Sequence, residues 1–350
     1  MADSIRFPFL SIVEQQEMKL ALLLSLINRA VGGALLIGPR GTGKTTAVRG
    51  LTDLMPSVKR SKCVHGCTEE AVLNFGVDGV CPDCAVKFGL GESLTVPEPM
   101  RLIELPLNAR MEDVVGGINE RIAIEQNKVQ LERGILSHAD QNVLYIDEVN
   151  LLDDAIINAI LDAAAQGMFT VRRGSMTATY RARLFLIGSM NPEEGQLRPQ
   201  IQDRFGLRVV VRGLTNLGDR QEVYRRAVDY QQDPYKFVAQ WDFETQRTLI
   251  DVQNARDILS KVTFADGVEA SGLRWVQALK IESHRAEITM FEAARAYAAA
   301  DGRETASLGD LRVVAPLALK QRQSQFITDY MKQQQEENEI IQAVINNSDE

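Results

Sequence analysis

Four short stretches of this chain carry residue types and spacings suited to breaking a phosphoanhydride bond. The first is GPRGTGKT, formed by Gly38, Pro39, Arg40, Gly41, Thr42, Gly43, Lys44 and Thr45 and followed by Thr46. Its glycines let the backbone wrap around phosphates without a Cβ in the way. The amides of a helix opening near Lys44 would point at the anion. Lys44 should reach the β- and γ-phosphates, and the Thr45 hydroxyl should ligate Mg²⁺. The second stretch is VLYIDEVN, Val143 to Asn150, an apolar strand ending in two adjacent carboxylates. Asp147 would hold the Mg²⁺, and Glu148 would orient or deprotonate the attacking water. The third is LIGSMNP, Leu186 to Pro192, where Asn191 ends another apolar strand and could orient the water or contact the γ-phosphate. A loose phosphoryl-transfer transition state also needs positive charge nearby, which RPQIQDRFG offers in Arg198 and Arg204. Arg204 is the better candidate for a finger inserted into a neighbouring subunit's site. A pair with Asp203 or a surface carboxylate is its competing reading.

A sheet is needed to bring these residues together. Ala34 to Ile37, Asn142 to Ile146, Leu184 to Ile187 and Arg208 to Val211 are apolar runs of strand length, and Arg101 to Asn108 reads as another strand. Helical stretches at Glu17 to Ala30, from about Lys44, and at Asp154 to Ala165 predict a parallel sheet covered on both faces. Phe169 to Val171 and Thr177 to Thr179 flank a turn at Gly174, the pattern of a hairpin. Beyond Asp233 and Pro234 helical periodicity takes over, in Phe243 to Ser260, Gly272 to Glu282, Arg285 to Ala300 and Leu308 to Gln323. The expected fold class is α/β, with a nucleotide-binding core over 1–232, an all-helical domain over 233–332 and a polar tail over 333–350. Residues 57–100 read as an irregular insertion rich in glycine and proline.

Composition is ordinary for a globular chain, at 45% hydrophobic and 25% charged residues. No apolar run approaches the roughly 20 residues of a membrane span, and the start lacks a signal peptide's pattern, so a cytoplasmic protein is expected. A net charge of -8 removes bulk attraction to nucleic acid. Arg172, Arg173, Arg181 and Arg183 around the hairpin point the other way, unless they meet acidic surfaces of neighbouring subunits. Cys63, Cys67, Cys81 and Cys84 fall in one window. Their spacing suits a tetrahedral structural zinc site, in which His65 could replace one thiolate. A redox-sensitive dithiol and unliganded thiols are the alternatives.

With their flanks, these motifs resemble the ATPase subunit of magnesium chelatase, within AAA+ proteins that include MoxR-type ATPases. FPFLSIVEQQEMKLALLL (Phe7 to Leu24), GPRGTGKTTAVRGL, ERGILSHADQNVLYIDEVNLLDD, NPEEGQLRPQIQDRFG and HRAEITMFEAARAYAAADGR carry the likeness, which runs from about Phe7 to Arg322. The resemblance implies a P-loop AAA+ core with a helical lid, ATP and Mg²⁺ as cofactors, Asn191 as sensor 1, Arg204 as the trans-acting finger and Arg285 as sensor 2. By composition Arg274 is an alternative to Arg285, which could itself pair with Glu282 or Asp301. The resemblance also implies insertions over about 105–132 and 168–183 that carry motion to a partner, and a ring of subunits, expected to be a hexamer. Its partners would be a related AAA+ subunit with an integrin-like domain and a large subunit that inserts Mg²⁺ into protoporphyrin IX. The three histidines, His65, His138 and His284, do not cluster in sequence, so the chain would supply work to that complex rather than chelate the metal. A cobalt-chelatase subunit and a MoxR-like chaperone are the nearest alternatives, and a helicase-type motor or a non-catalytic nucleotide-binding regulator are more distant ones. Two features depart from the family's pattern: Glu14, where glycine is usual in a segment near the adenine, and the cysteine-bearing stretch from Lys62 to Gly91.

Overall fold

Strands buried on both faces must be covered on both sides, and three such strands, flanked by two more, form the centre of this molecule. The computed structural model describes residues 5–63, 66–118, 125, 131–174, 176–320 and 322. Its main strands are β1 (Ala34–Ile37), β2 (Ser57–Ser61), β3 (Thr95–Pro99), β4 (Leu102–Leu105), β5 (Val143–Ile146), β6 (Met168–Arg173), β7 (Met176–Arg181), β8 (Phe185–Met190) and β9 (Leu207–Val210). The central sheet runs β4-β5-β8-β1-β9, and every neighbouring pair is parallel. Alternate side chains leave opposite faces of a strand. Ala34, Leu36, Tyr145, Ile187 and Val209 enter one core, while Leu35, Ile37, Leu144, Ile146 and Leu186 enter the other. Because all five strands point the same way, the residues following β1, β5 and β8 emerge along a single edge.

The helix α1 (Gln16–Ile27) is apolar nearly all round and is buried between the sheet and the C-terminal helices. Those helices span Leu217–Gln232, Pro234–Ala239, Asp242–Ile258, Val268–Ala278, Arg285–Ala300 and Leu308–Leu319. Arg285–Ala300 buries Ala293, Ala294, Ala296, Ala298 and Ala299, and these small side chains allow close approach to its neighbours. The expectation of a purely helical C-terminal part needs one addition. Thr263–Phe264 and Thr305–Ala306 form a short parallel pair. The segment before α1 is tied to this part by Phe7, whose ring stacks on Phe237 with centroids 5.3 Å apart and meets Tyr230 edge-on at 5.2 Å. Among the described residues, no helix is long and apolar enough to cross a membrane.

Residues 57–100 are more regular than the sequence suggested. β2 and β3 pair antiparallel from Ser57 opposite Pro99 to Ser61 opposite Thr95, and they close off a lobe containing helices Glu69–Phe75 and Pro82–Gly89. Thr68 caps the first helix by accepting from the Ala71 amide, and Pro82 opens the second. Prolines 97 and 99 masked this ladder, because proline is compatible only with an edge strand. The expected hairpin is present as β6 and β7, with Gly174 in the turn at φ +58°. Of its four arginines, Arg173 lies 3.8 Å from Glu112 and Arg183 pairs with Asp140 at 2.9 Å. For the 105–132 insertion, Ile118 bridges Leu131 antiparallel. Residues 119–124 and 126–130, His65 and the tail over 333–350 lie outside the described residues.

Glu14 and Gln15 both adopt left-handed backbone, with φ of +50° and +51°. That conformation costs a non-glycine residue roughly 1–2 kcal/mol. Here the Gln15 side chain donates to the Arg212 carbonyl at 2.7 Å, which pins the turn.

Asn142, fully buried at the start of β5, joins the lobe to the sheet. Its Oδ1 accepts from Arg60 Nη2 and the Arg101 amide, both at 3.0 Å, and its Nδ2 donates to the His138 carbonyl at 2.8 Å. Asn142→Ala leaves these groups unpaired, which should cost about 2 kcal/mol. Urea unfolding should show a lower midpoint at an unchanged slope; an unmoved midpoint would remove Asn142 from this role.

Candidate functional site

The loop from Gly38 to Gly43 leaves β1 and turns directly into the helix α2 (Lys44–Gly50). Two of its glycines are dictated by geometry. A Cβ on Gly38 would sit 2.1 Å from the Val211 carbonyl oxygen, and Gly43 holds φ at +85°. The loop, Lys44, Thr45, Thr46, Asp147, Glu148, Ser189, Met190 and Asn191 line one cavity of about 290 Å³. β8 lies between β1 and β5 in the sheet, so Asn191 at its tip stands between the phosphate loop and the two carboxylates.

Lys44 is almost fully buried and folds back on its own loop. Its Nζ donates to the Gly38 carbonyl at 2.6 Å and the Pro39 carbonyl at 2.8 Å. Burial lowers its pKa, against the pull of Asp147, Glu148 and Glu194. An ammonium held by two loop carbonyls is positioned for a phosphate but not yet spent on one. Arg40 Nη2 lies 3.3 Å from Glu148 Oε1 and also pairs with Glu194. Glu148 sits in left-handed backbone at φ +52°, which turns its carboxylate from the strand end toward the loop.

Asp147 is the more heavily bonded of the two carboxylates lining the cavity. It accepts from Tyr145 Oη at 2.8 Å, from Thr45 Oγ1 at 3.3 Å and from Ser189 Oγ in a short bond. Ser189 Oγ in turn accepts from the Glu148 amide at 3.1 Å. Burial, the largest influence on Tyr145, pushes its hydroxyl well above the ordinary tyrosine range, so it stays a donor. Thr45 and Asp147 offer a hydroxyl and a carboxylate close together, the hard oxygen donors that Mg²⁺ prefers. Asn191 is buried. Its Oδ1 accepts from the Glu193 amide at 3.3 Å and its carbonyl from Asn150 Nδ2 at 3.4 Å, so the amide head is fixed at the cavity wall.

Tyr145, Ser189 and Glu194 were not anticipated from the sequence. Two of them had a legible signal. In a strand, residues two apart share a face, so Tyr145 accompanies Asp147 and Ser189 accompanies Asn191.

Arg204 and Arg285 lie elsewhere. They line a second cavity of about 490 Å³ together with Asn28 to Gly33, Leu184 and Leu186. These residues precede or open β1 and β8, so the cavity sits at the opposite edge of the sheet from the phosphate loop. Arg204 Nη1 pairs at 2.7 Å with Asp162, a surface carboxylate, the competing reading of this arginine, and not with Asp203. Arg285 Nη1 lies 3.4 Å from Asp203 Oδ2, rather than near Glu282 or Asp301. Asp203 also holds Arg322 Nη1 at 2.7 Å, Arg208 Nη2 at 3.2 Å and Ser283 Oγ at 2.8 Å. Arg274 bonds Ser271 Oγ at 3.0 Å. The cysteines meet in the 57–100 lobe, where the four Sγ atoms lie within 4.8 Å of one another.

A parallel sheet that inserts a polar-tipped strand between its phosphate loop and its acidic strand, followed by a helical lid, is that of an AAA+ P-loop ATPase. Two family models match, one described as an AAA lid domain over residues 276–344 and one as an MCM P-loop domain over 120–206. The "Magnesium-chelatase subunit ChlI homolog" of Methanocaldococcus jannaschii is 40% identical, over 90% of this chain and 85% of that protein. The magnesium-chelatase 38 kDa subunit of Chlorobaculum parvum is 37% identical, over 90% and 91%. Among solved structures, a complex of subunits BchI and BchD of magnesium chelatase contains a chain 36% identical, with a TM-score of 0.50, covering 93% of this chain and 99% of that one. A putative ATPase from Cytophaga hutchinsonii shares the fold at a TM-score of 0.55 and 19% identity, over 90% and 84%. The chain belongs to the family of magnesium-chelatase ATPase subunits, and that family uses ATP and Mg²⁺.

Ser189 ties Asp147 to the Glu148 backbone, so its loss should disturb both carboxylates without removing a phosphate ligand. Ser189→Ala should lower kcat about tenfold while changing ATP affinity little, the signature of an interaction spent on turnover. Steady-state ATPase kinetics check this; a raised KM at unchanged kcat would contradict it.

Proposed function

We propose that this chain is the ATP-hydrolysing motor of a chelatase, working on a separate porphyrin-binding subunit that inserts Mg²⁺ into protoporphyrin IX. The observation that carries this reading is the convergence of Lys44, Thr45, Asp147, Glu148 and Asn191 on one cavity. The names of the related proteins support the metal and its acceptor. In this reading Gly38 to Thr46 cradle the triphosphate through backbone amides, and Lys44 exchanges its loop carbonyls for β- and γ-phosphate oxygens. Thr45 and Asp147 would hold the Mg²⁺ of Mg-ATP, which supplies neutralisation of charge on the β- and γ-oxygens. Glu148, released from Arg40, orients the attacking water, and Asn191 reports the γ-phosphate from the neighbouring strand tip. Residues 1–232 would be the nucleotide-binding core, and 233–332 the lid.

Arg204 and Arg285 line a cavity separated by the sheet from the phosphate loop of their own chain. Their shared cavity at the far edge supports a ring in which both arginines enter the site of the next subunit. Arg204 would then give up Asp162 to stabilise charge on the transferring phosphoryl group, a contribution that arginine fingers make worth several orders of magnitude in rate. The hairpin β6–β7 and the 105–132 insertion would carry the resulting movement to a chelatase partner bearing its own AAA+ domain.

Glu148→Gln should bind ATP with near-normal affinity and hydrolyse it roughly 100-fold or more slowly, as read by nucleotide titration and phosphate release. Unchanged turnover would take Glu148 out of its role. The trans arrangement is tested by mixing. Lys44→Ala and Arg204→Ala should each abolish ATPase activity alone, and random co-assembly should restore about a quarter of the interfaces. Co-assembled rings with no recovered activity would contradict it. For the reaction as a whole, purified porphyrin-binding and partner subunits should metallate protoporphyrin IX with Mg²⁺ only when this chain and ATP are present; metallation at full rate without the chain would overturn the proposal.

A further inference from the structure

The lobe closed by β2 and β3 has its own small core, separate from the two that flank the sheet. Its buried members are Cys67, Val72, Cys84 and Leu94, with Cys63, Val80, Cys81 and Phe88 packed against them. Half of that core is cysteine. Outside it, Leu73, Phe75, Val86 and Leu90 are exposed, so the lobe does not gather its large apolar side chains inward as a self-supporting fold would. A unit of this size needs a covalent or metal staple.

The arrangement of the sulfurs says which staple. All four cysteines are free of disulfides, and Cys63 Sγ and Cys81 Sγ lie 3.6 Å apart, far beyond a sulfur–sulfur bond of about 2.05 Å. The four Sγ atoms lie within 4.8 Å of one another. Four thiolates at about 2.3 Å from one tetrahedral zinc would stand about 3.8 Å apart; Cys63 and Cys81 stand 3.6 Å apart, and all four lie close enough to close on one ion. Backbone also supports sulfur here, since the Cys81 amide donates to Cys67 Sγ at 3.2 Å. Cys81 and Cys84 bracket the first turn of the helix that Pro82 opens, which fixes both on the same side. An all-thiolate set selects a soft or borderline ion over Mg²⁺ or Ca²⁺, and with four protein ligands it leaves no open position for chemistry.

We propose that Cys63, Cys67, Cys81 and Cys84 bind one structural Zn²⁺, and that this ion holds the lobe folded and seated against the base of the β6–β7 hairpin. The seat is the turn between the first two ligands: a Cβ on Gly66 would lie 3.5 Å from Arg181 Cδ at the end of β7. The same lobe is rooted in the sheet through Arg60 and Asn142. The zinc therefore stiffens one side of a projecting element without touching the phosphate cavity, and the inference stands independently of what the motor drives.

The test uses the full chain purified without chelators. Elemental analysis should give one zinc per chain, and titration of the thiols with an organomercurial should release that zinc as four thiols react. Exchange with Co²⁺ should produce the intense visible bands of tetrahedral cobalt together with thiolate-to-cobalt charge transfer. Limited proteolysis after chelation should open new cuts between residues 62 and 91 while ATP still binds with its original affinity. Cys81→Ser should lose zinc stoichiometry, and if that variant fails to fold, the cobalt spectrum and the thiol titration on the unmodified chain still decide the matter. A chain without zinc that also fails to take up added zinc after reduction overturns the proposal. So does an iron–sulfur absorption spectrum, a titration showing a disulfide, or a proteolytic pattern indifferent to chelation.

Discussion

The direction of five parallel strands governs everything this molecule can do with a nucleotide. Because β1, β5 and β8 end along one edge in the order β5-β8-β1, a loop of amides, a pair of carboxylates and a buried amide side chain face one space. No single element supplies that set. The same parallel arrangement sends the starts of β1 and β8 to the far edge, where Arg204 and Arg285 line the second cavity. One sheet thus separates the residues that would hold a triphosphate from the arginines that would press on one.

The connection between core and lid runs through one carboxylate. Asp203 binds Arg208 of β9, Arg322 beyond the last helix, and Ser283 and Arg285 at the opening of the Arg285–Ala300 helix. The Arg322 side chain is completely buried, and its guanidinium also donates to the Gly206 carbonyl at 2.8 Å. Burial lowers the pKa of both Arg208 and Arg322, and Asp203 opposes that effect at each. Removing one partner from such a buried cluster costs roughly 3–5 kcal/mol. Arg204 is the next residue in the chain.

Much of this was legible beforehand, and for identifiable reasons. GPRGTGKT and VLYIDE declare themselves because each strand is a short, continuous apolar run whose final residues change abruptly to polar ones. Arg285–Ala300 was legible from its periodicity. What stayed hidden were properties of pairing rather than of segments. The sequence offered Arg204 as a finger for a neighbouring subunit's site and the resemblance gave Arg285 as sensor 2, but only the sheet order shows that the two share a cavity at the far edge. Tyr145 and Ser189 looked like ordinary strand residues until Asp147 was placed between them. The β2–β3 ladder was obscured by Pro97 and Pro99, and by a core made of cysteine instead of aliphatic side chains. Glu14 read as a departure from the family's pattern, and its left-handed backbone, a conformation that favours glycine, was not legible from the residue itself.

The central claim is that one subunit holds the triphosphate at the carboxyl edge of its sheet and the next subunit completes the site. A cryo-EM structure of the assembled chain with Mg²⁺ and a non-hydrolysable ATP analogue addresses this directly. The account predicts the γ-phosphate between Lys44 and Asn191 of one subunit, with Arg204 of the adjacent subunit turned from Asp162 to within hydrogen-bond reach of it. A nucleotide bound away from Lys44, or an interface in which Arg204 stays on Asp162 and faces no nucleotide, would contradict it.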